Sequence, residues 1–230
     1  MYEPTRVPRR ITRRGVWLTL VLAVAAVIAI VVTVLRTMPH PPQTDPFTLD
    51  ELAMTIPDAA QTELVAAMVR SRIAQANATP GPSAAATAPE CVAPKTPHRW
   101  DYKQRKNATT IVQVGVALDV PERAEVVALA AAMQESRLYN LGHLGARNDH
   151  DSLGLFQQRP SMGWGSAAQV TDPVFAATAF YLALQRVPRW QKMAVTVAAQ
   201  KVQRSAYPNA YAKWEADAKS LVQAIHCNAL

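Results

Sequence analysis

The sequence predicts a mostly α-helical domain that follows one apolar helix and a proline-rich segment. Three observations indicate this arrangement. Apolar residues recur at helical spacing over residues 101–230. Pro, Ala and Thr dominate residues 37–100, and residues 16–35 contain neither charge nor proline. The chain is therefore expected to fold as one helical domain with a core of its own, at the end of a stalk.

The N-terminal segment has the pattern of a membrane anchor. Residues 1–14 carry five arginines and one glutamate, and an uncharged run extends from Val16 to Leu35. A helix of this length spans about 30 Å, roughly the hydrocarbon core of a bilayer. A cleaved signal peptide is the alternative, but its apolar region is usually only about 7–15 residues long. We expect a cytoplasmic tail at 1–14, a single-pass transmembrane helix at 15–36 and an extracytoplasmic remainder in the cell envelope.

The basic charge follows from this topology. The formal net charge is +7, of which residues 1–14 supply +4 and Arg36 another +1. The remaining +2 is scattered over the extracytoplasmic part. The charge therefore gives no indication of nucleic-acid binding, and none is predicted.

The two cysteines, Cys91 and Cys227, are predicted to form a disulfide. Two thiols outside the membrane normally oxidise, and this bridge would join the start of the folded region to its last helix. Two unpaired buried thiols are the alternative. A metal site is less favoured because neither residue lies in a Cys-x-x-Cys spacing.

The stalk, residues 37–100, contains one exceptional stretch at 57–75. Its apolar residues Leu64, Val65, Met68 and Ile73 favour one side of a helix. Such a helix could pack on the domain, self-associate or lie free, and the sequence does not distinguish these three possibilities.

Five helices are predicted in the domain at 101–230. The first covers 104–118, and the second runs to Glu135 from an entry at Asp119-Val120-Pro121-Glu122, where Asp119 and Glu122 suggest a capping box. The third opens at Asp172-Pro173. The last two cover about 196–205 and 210–225. Between the second and third helices, residues 142–165 hold five of the chain's eight glycines, which predicts tight turns at the edge of a cleft.

Glu135 closes an alanine-rich helix without a basic residue at helical spacing to pair with it. A solvated helix end is one interpretation. The other is a carboxyl group in an apolar pocket, because desolvation raises a carboxyl pKa and lets the group donate a proton near neutral pH. Cleavage of a glycosidic bond requires such an acid.

Short motifs around this residue resemble the transglycosylase SLT domains of the lysozyme-like superfamily, in particular an actinobacterial set of secreted or membrane-anchored domains. The motifs are Gln134-Glu135-Ser136-Arg137-Leu138, Asp149-His150-Asp151-Ser152-Leu153-Gly154-Leu155-Phe156-Gln157-Gln158-Arg159-Pro160, Ser161-Met162-Gly163-Trp164-Gly165, Asp172-Pro173-Val174 and Val202-Gln203-Arg204-Ser205-Ala206-Tyr207-Pro208. The resemblance covers roughly the last 110 residues. It implies a lysozyme-like fold that is mostly α, with little or no strand, and a cleft for the glycan strands of bacterial peptidoglycan.

The resemblance also implies a reaction. Glu135 matches the catalytic acid of lytic transglycosylases, which protonates the bond between N-acetylmuramic acid and N-acetylglucosamine and then helps to close a 1,6-anhydro ring. A lysozyme-type muramidase is the close alternative, with Asp149 or Asp151 as a second carboxylate. A third possibility is a non-catalytic, anchored peptidoglycan-binding or scaffold module.

Substrate contacts are expected from polar and aromatic side chains near Glu135. The candidates are Ser136, Asp151, Gln157, Gln158, Arg159, Trp164 and Tyr207. Ser136 could instead orient the acid, Asp151 could stabilise its loop, and Trp164 could belong to the core. Around Tyr207 the chain departs from the Ala-Tyr-Asn-Ala-Gly stretch of many SLT domains, which leaves room for altered activity.

No metal or other cofactor is predicted. His143, Asp149, His150 and Asp151 lie close in sequence, but their spacing matches no common zinc motif. The expected partners are peptidoglycan glycan strands and the membrane, and other envelope proteins are left open.

Overall fold

The computed structural model describes residues 56–78, 91, 100–205 and 209–228, and this part of the chain is mostly helical, as predicted. Its α-helices are α1 (Ala59–Ala78), α2 (Tyr102–Ala117), α3 (Glu122–Ser136), α4 (Ala167–Val170), α5 (Pro173–Arg186), α6 (Val195–Gln203) and α7 (Glu215–His226). Short 3-10 turns occur at Gly145–Arg147, Pro160–Met162, Trp190–Lys192 and Ala212–Trp214. The described residues form no extended strand, only two isolated antiparallel bridges, Leu141–Gly154 and Leu153–Gln158.

Helix α3 is the centre of the core. Every residue from Ala124 to Met133 is buried, and α2, α5, α6 and α7 all pack against it. A helix buried on all sides needs apolar residues all round, and its many alanines let the neighbouring helices approach closely. The helix that ends at Glu135 is therefore held from several directions.

Helix α1 packs on the domain, which answers the question that the sequence left open for residues 57–75. Its buried residues Ala66 and Val69 face the core, and the helix contacts α5 and α2. Arg70 lies 3.0 Å from both Glu63 and Asp172, although these partly exposed ion pairs contribute little. The folded unit thus includes a helix that lies before the predicted domain start at residue 101.

The predicted disulfide is present. Cys91 and Cys227 are bonded, with their Cα atoms 5.7 Å apart and a sequence separation of 136. Cys227 directly follows α7, so the bridge fixes the end of the last helix to a segment that precedes α2.

The helix starts were predicted with mixed success. Asp172 caps α5 as expected, because its Oδ1 accepts from the backbone N–H groups of Val174 and Phe175. The capping box at Asp119 was wrong. Asp119 has a left-handed backbone (φ 54°) in the turn after α2, and Pro121 occupies the cap position of α3 without a side-chain hydrogen bond. Asp119 belongs instead to the C-terminal turn of α2, where its N–H donates to the Val116 carbonyl (3.0 Å) and the Val120 N–H donates to the Gly115 carbonyl (3.1 Å).

The structure does not describe two of the predicted segments. The anchor at 15–36 and most of the stalk at 37–100 fall outside the described residues. Within the described ranges, no helix is both long and apolar enough to cross a bilayer.

Candidate active site

Glu135 lies in the last turn of α3, where the backbone changes direction sharply. The next two residues, Arg137 and Leu138, both adopt left-handed conformations (φ 53° and 64°), which are costly for residues other than glycine. Two side chains of α2 hold this turn: the Gln104 amide donates to the Arg137 carbonyl (2.9 Å) and the Asn107 amide donates to the Leu138 carbonyl (2.7 Å). The position of Glu135 is thus fixed by tertiary contacts as well as by its own helix.

The motif Gly154-Leu155-Phe156-Gln157 forms a tight loop opposite the end of α3. The Leu153 and Gln158 backbones exchange two hydrogen bonds of 3.0 Å and close the loop. The Gly154 N–H donates to the Leu141 carbonyl (2.7 Å). Leu155 and Phe156 are buried, so the loop is anchored in the core below the cleft.

Gly154 tolerates no side chain. Its φ is +77°, and a Cβ at this position would overlap the Val170 carbonyl oxygen. We expect Gly154→Ala to lose about 1–2 kcal/mol from the left-handed backbone alone, and more from the overlap. Urea unfolding measures the loss. Gly142→Ala is the matched control, since a Cβ there would meet nothing within 4 Å, and equal stability of the two variants would contradict the assignment.

Two side chains join this loop to the flanking helices. The Ser136 hydroxyl contacts the Leu155 carbonyl oxygen (2.7 Å) and the Gln203 amide donates to the Phe156 carbonyl (2.7 Å). Ser136 is only 6% exposed and is not among the described residues that line the cleft. Of the two roles expected for Ser136, the structure supports orientation of the acid's helix end rather than substrate contact.

The cleft between these elements has a volume of about 490 Å³, within the range of small-molecule sites. The described residues that line it are Ile56, Gln134, Glu135, Asp149, Ser152, Phe156, Gln157, Gln158, Arg159, Met162, Trp164, Val202, Gln203, Arg204 and Ser205. Amide and hydroxyl side chains are well represented among them. Such groups suit a ligand with many hydroxyl and amide functions.

The Glu135 carboxyl is partly buried, and this burial is the largest influence on its pKa, which is raised. Hydrogen bonds from Tyr211 and Gln203 act in the opposite direction because they favour the ionised form. The negative charge of Asp149 raises the pKa further. Glu135 therefore retains a proton at higher pH than an ordinary glutamate and remains accessible from the cleft.

Tyr211 was missed by the sequence analysis. Its ring is fully buried, and its hydroxyl donates to Glu135 Oε1 over 2.7 Å. The predicted tyrosine, Tyr207, lies outside the described residues. The departure of the 203–208 stretch from the family pattern was a signal that the relevant tyrosine could lie elsewhere, and Tyr211 follows only four residues later.

Replacement of the two tyrosines distinguishes their roles. If Glu135 is the acid that the sequence predicts, Tyr211→Phe should lower glycan cleavage roughly tenfold, because Tyr211 donates a hydrogen bond to the carboxylate that remains after proton donation. The protein should stay folded, since the ring remains. Initial rates of product release are compared for Tyr211→Phe and Tyr207→Phe. A loss confined to Tyr207→Phe would show that the sequence had indicated the correct residue.

Asp151 stabilises its own loop. It accepts hydrogen bonds from Arg159 Nε (2.9 Å), the Ser161 N–H (2.6 Å) and the Ser161 hydroxyl (2.8 Å). These contacts, led by that of Arg159, hold its pKa well below the usual range. Asp151 is absent from the described cleft lining, whereas Arg159 is part of it.

The remaining predicted residues line the cleft. The Gln157 amide donates to the Gly154 carbonyl (3.1 Å), and Gln157 is partly exposed. Gln158 is 2% exposed; its amide nitrogen donates to the Ala176 carbonyl, while its Oε1 is buried without a partner. Trp164 lies at the cleft wall with 8% of its surface exposed. Gln134, Gln203 and Ile56 also line the cleft, although the sequence analysis did not select them.

A second buried glutamate helps to assign the site. Burial raises the pKa of Glu125 as well, but this residue is 2% exposed and lies 2.6 Å from His226 Nε2. A larger cavity of about 660 Å³ lies beside His226, and its described lining includes no acidic residue. Of these two glutamates, only Glu135 lines either of the two described cavities.

No protein-family model and no curated protein match the chain. Among the described residues, no group of three or more His, Cys, Asp or Glu side chains is arranged to hold a metal ion. The expectation of an SLT-type domain remains a prediction from Glu135-Ser136 and the Gly154–Gln157 loop.

Proposed function

We propose that this chain is a peptidoglycan lytic transglycosylase with a lysozyme-like domain, in which Glu135 acts first as general acid and then as general base. One observation carries the proposal: a carboxyl group with a raised pKa lines a polar cleft and accepts a hydrogen bond from a buried tyrosine. The motif resemblance supplies the substrate class, the bond between N-acetylmuramic acid and N-acetylglucosamine.

The proposed reaction needs a single carboxyl group. Protonated Glu135 gives its proton to the glycosidic oxygen as the bond from that oxygen to the muramoyl C1 breaks. The 6-hydroxyl oxygen of the same muramoyl residue then bonds to C1, and its proton returns to the Glu135 carboxylate. The products are a free N-acetylglucosamine 4-hydroxyl and a 1,6-anhydromuramoyl end, and no water is consumed.

The surroundings of Glu135 suit both steps. Burial favours the protonated state that the first step requires, whereas the Tyr211 hydroxyl stabilises the carboxylate that the first step leaves behind. Asp151 is engaged with Arg159 and Ser161, so it is not available as a nucleophile beside Glu135.

A muramidase is the second candidate because of Asp149. This residue lines the same cleft, its carboxyl is 84% exposed, and its charge reaches Glu135. It could activate a water molecule on the far side of the sugar, as the base of an inverting glycosidase does. In that case Glu135 would still be the acid, but the product would carry a reducing end.

Product chemistry distinguishes the two reactions. Purified sacculi are digested with the full-length chain, and the soluble muropeptides are analysed by mass spectrometry. We expect 1,6-anhydromuramoyl ends, which are lighter than reducing ends by one water. Reducing ends would support the muramidase. Tight binding to sacculi with no product at all would contradict both and favour a scaffold.

We propose further that residues 15–36 hold the domain at the outer face of the cell membrane, where peptidoglycan is available. The support is the uncharged run between Val16 and Leu35 and the arginines before it. Protease added to intact spheroplasts should degrade the C-terminal domain and leave the N-terminal tail protected. Protection of the domain in intact spheroplasts would contradict this topology.

A further inference from the structure

We propose that Gln203 is a positioning residue that presents an amide N–H to Glu135 and so stabilises the carboxylate between proton donation and proton return. Gln203 is the last residue of α6 and lines the cleft. The inference rests on the proposed function of Glu135 and adds a residue that was not among the substrate contacts expected from the sequence.

The Phe156 carbonyl fixes the orientation of the Gln203 amide. A carbonyl oxygen only accepts hydrogen bonds, so the amide atom 2.7 Å from it must be the nitrogen. An amide nitrogen carries two hydrogens, and one of them is used by Phe156. The Ser136 hydroxyl, next to Glu135, lies 2.7 Å from the adjacent Leu155 carbonyl, so the helix end that carries Glu135 and the Gln203 amide meet the same loop. The second hydrogen of the amide nitrogen can therefore be directed at Glu135, which lines the same cleft, and Gln203 lowers the pKa of this carboxyl.

The orientation of the Gln203 amide decides whether it donates a hydrogen bond to Glu135 or accepts one from it. With its oxygen towards Glu135, the amide would accept a hydrogen bond from the neutral acid and favour retention of the proton. With its nitrogen towards Glu135, it favours release. The Phe156 carbonyl, at the centre of the Gly154–Gln157 loop, thus determines which protonation state Gln203 supports.

Gln203 and Tyr211 reach Glu135 from separate parts of the chain. Gln203 ends α6, whereas Tyr211 precedes the 3-10 turn Ala212–Trp214. Tyr211 donates to the Glu135 carboxyl over 2.7 Å, and Gln203 also lowers the pKa of this group, whereas burial raises it.

The test compares Gln203→Met with Gln157→Met in the full-length chain. Both changes replace an amide of the cleft by an apolar side chain of similar length, but the Gln157 amide is bonded to the Gly154 carbonyl, and of these two residues only Gln203 lowers the pKa of Glu135. Rates of muropeptide release from sacculi are measured between pH 4 and pH 9. The Glu135 carboxyl is also titrated by ¹³C NMR, which does not depend on activity.

The expected outcome follows from the sign of the effect. Loss of a donor to the ionised carboxyl raises the pKa of Glu135, so the protonated enzyme persists to higher pH. In Gln203→Met, the falling limb of the curve of release rate against pH therefore moves to higher pH. Its maximal rate falls roughly tenfold. Gln157→Met lowers the rate without moving the limb. Gln203→Asn, whose shorter side chain loses the contact but keeps its amide character, should move the limb in the same direction.

Two results would overturn the inference. One is a Glu135 titration that is the same in wild type, Gln203→Met and Gln203→Asn. The other is an equal displacement of the limb in Gln157→Met, which would show a general change of the cleft. A wild-type chain that releases no product would instead contradict the proposed function, and the NMR titration would still decide whether Gln203 donates to Glu135.

Discussion

Glu135→Gln should reduce the release of muropeptides from sacculi by on the order of 10³-fold, since general acid–base catalysis contributes about 10²–10⁴-fold. Glutamine keeps the size of the side chain and an oxygen that can accept from the Tyr211 hydroxyl, but it has no proton to give to the glycosidic oxygen. The rate is measured as soluble muropeptide per enzyme at the pH optimum of the wild-type chain.

The same substitution should stabilise the protein at neutral pH. The folded-state pKa of Glu135 is raised, so the folded protein binds the proton more tightly than the unfolded chain does. Below the unfolded pKa of about 4.3 both states are protonated and there is no penalty. The penalty grows as pH rises and is complete above the folded pKa. Glu135→Gln removes it, so Tm should rise at pH 8 and change little at pH 3.

Glu125→Gln is the matched control for the effect of Glu135→Gln on activity. Glu125 also has a raised pKa, but it is buried beside His226 and does not line the cleft. Its replacement should leave the rate of release within a few-fold of wild type. If Glu125→Gln abolished release while Glu135→Gln did not, the catalytic assignment would have to be abandoned.

Reduction of the Cys91–Cys227 disulfide has the largest expected effect on stability. The bridge closes a loop of 136 residues, and the chain-entropy model gives about 5 kcal/mol for a loop of this length. Such a loss is a large part of the stability of an ordinary domain. The free energy of unfolding in urea is measured for the wild-type chain with and without dithiothreitol.

The double variant Cys91→Ser, Cys227→Ser provides the control for reduction. It should match the reduced wild type, and dithiothreitol should not change it further. α7 follows directly from the segment that carries Tyr211 and Trp214. We therefore expect release of muropeptides to fail at a lower temperature in the reduced wild type and in the double variant than in the oxidised wild type. Equal unfolding free energies with and without reductant would show that the bridge contributes nothing.

Local sequence was sufficient for much of the fold. The Asp172-Pro173 pair predicted the start of α5, because an aspartate cap followed by proline is defined by neighbouring residues alone. The alanine-rich approach to Glu135 likewise predicted a helix end in apolar surroundings, next to a glycine-rich segment. The prediction of a disulfide needed only two cysteines and the expectation that this part of the chain lies outside the membrane.

The contacts around Glu135 depend on tertiary packing and could not be predicted in this way. Tyr211 is 76 residues away in sequence, and its partner is decided by the packing of its segment on α3. The role proposed for Gln203 depends on a loop carbonyl 47 residues away. For Ser136 the sequence left two roles open, substrate contact and orientation of the acid, and the structure favours the second because the hydroxyl contacts the Leu155 carbonyl.

The protonation of Glu135 is the central claim, and ¹³C NMR titration of its side-chain carboxyl in the wild-type chain measures it most directly. Burial should raise the pKa clearly above the ordinary glutamate value of about 4.3. Titration at or below that value would mean that the group is ionised at neutral pH and cannot serve as the general acid.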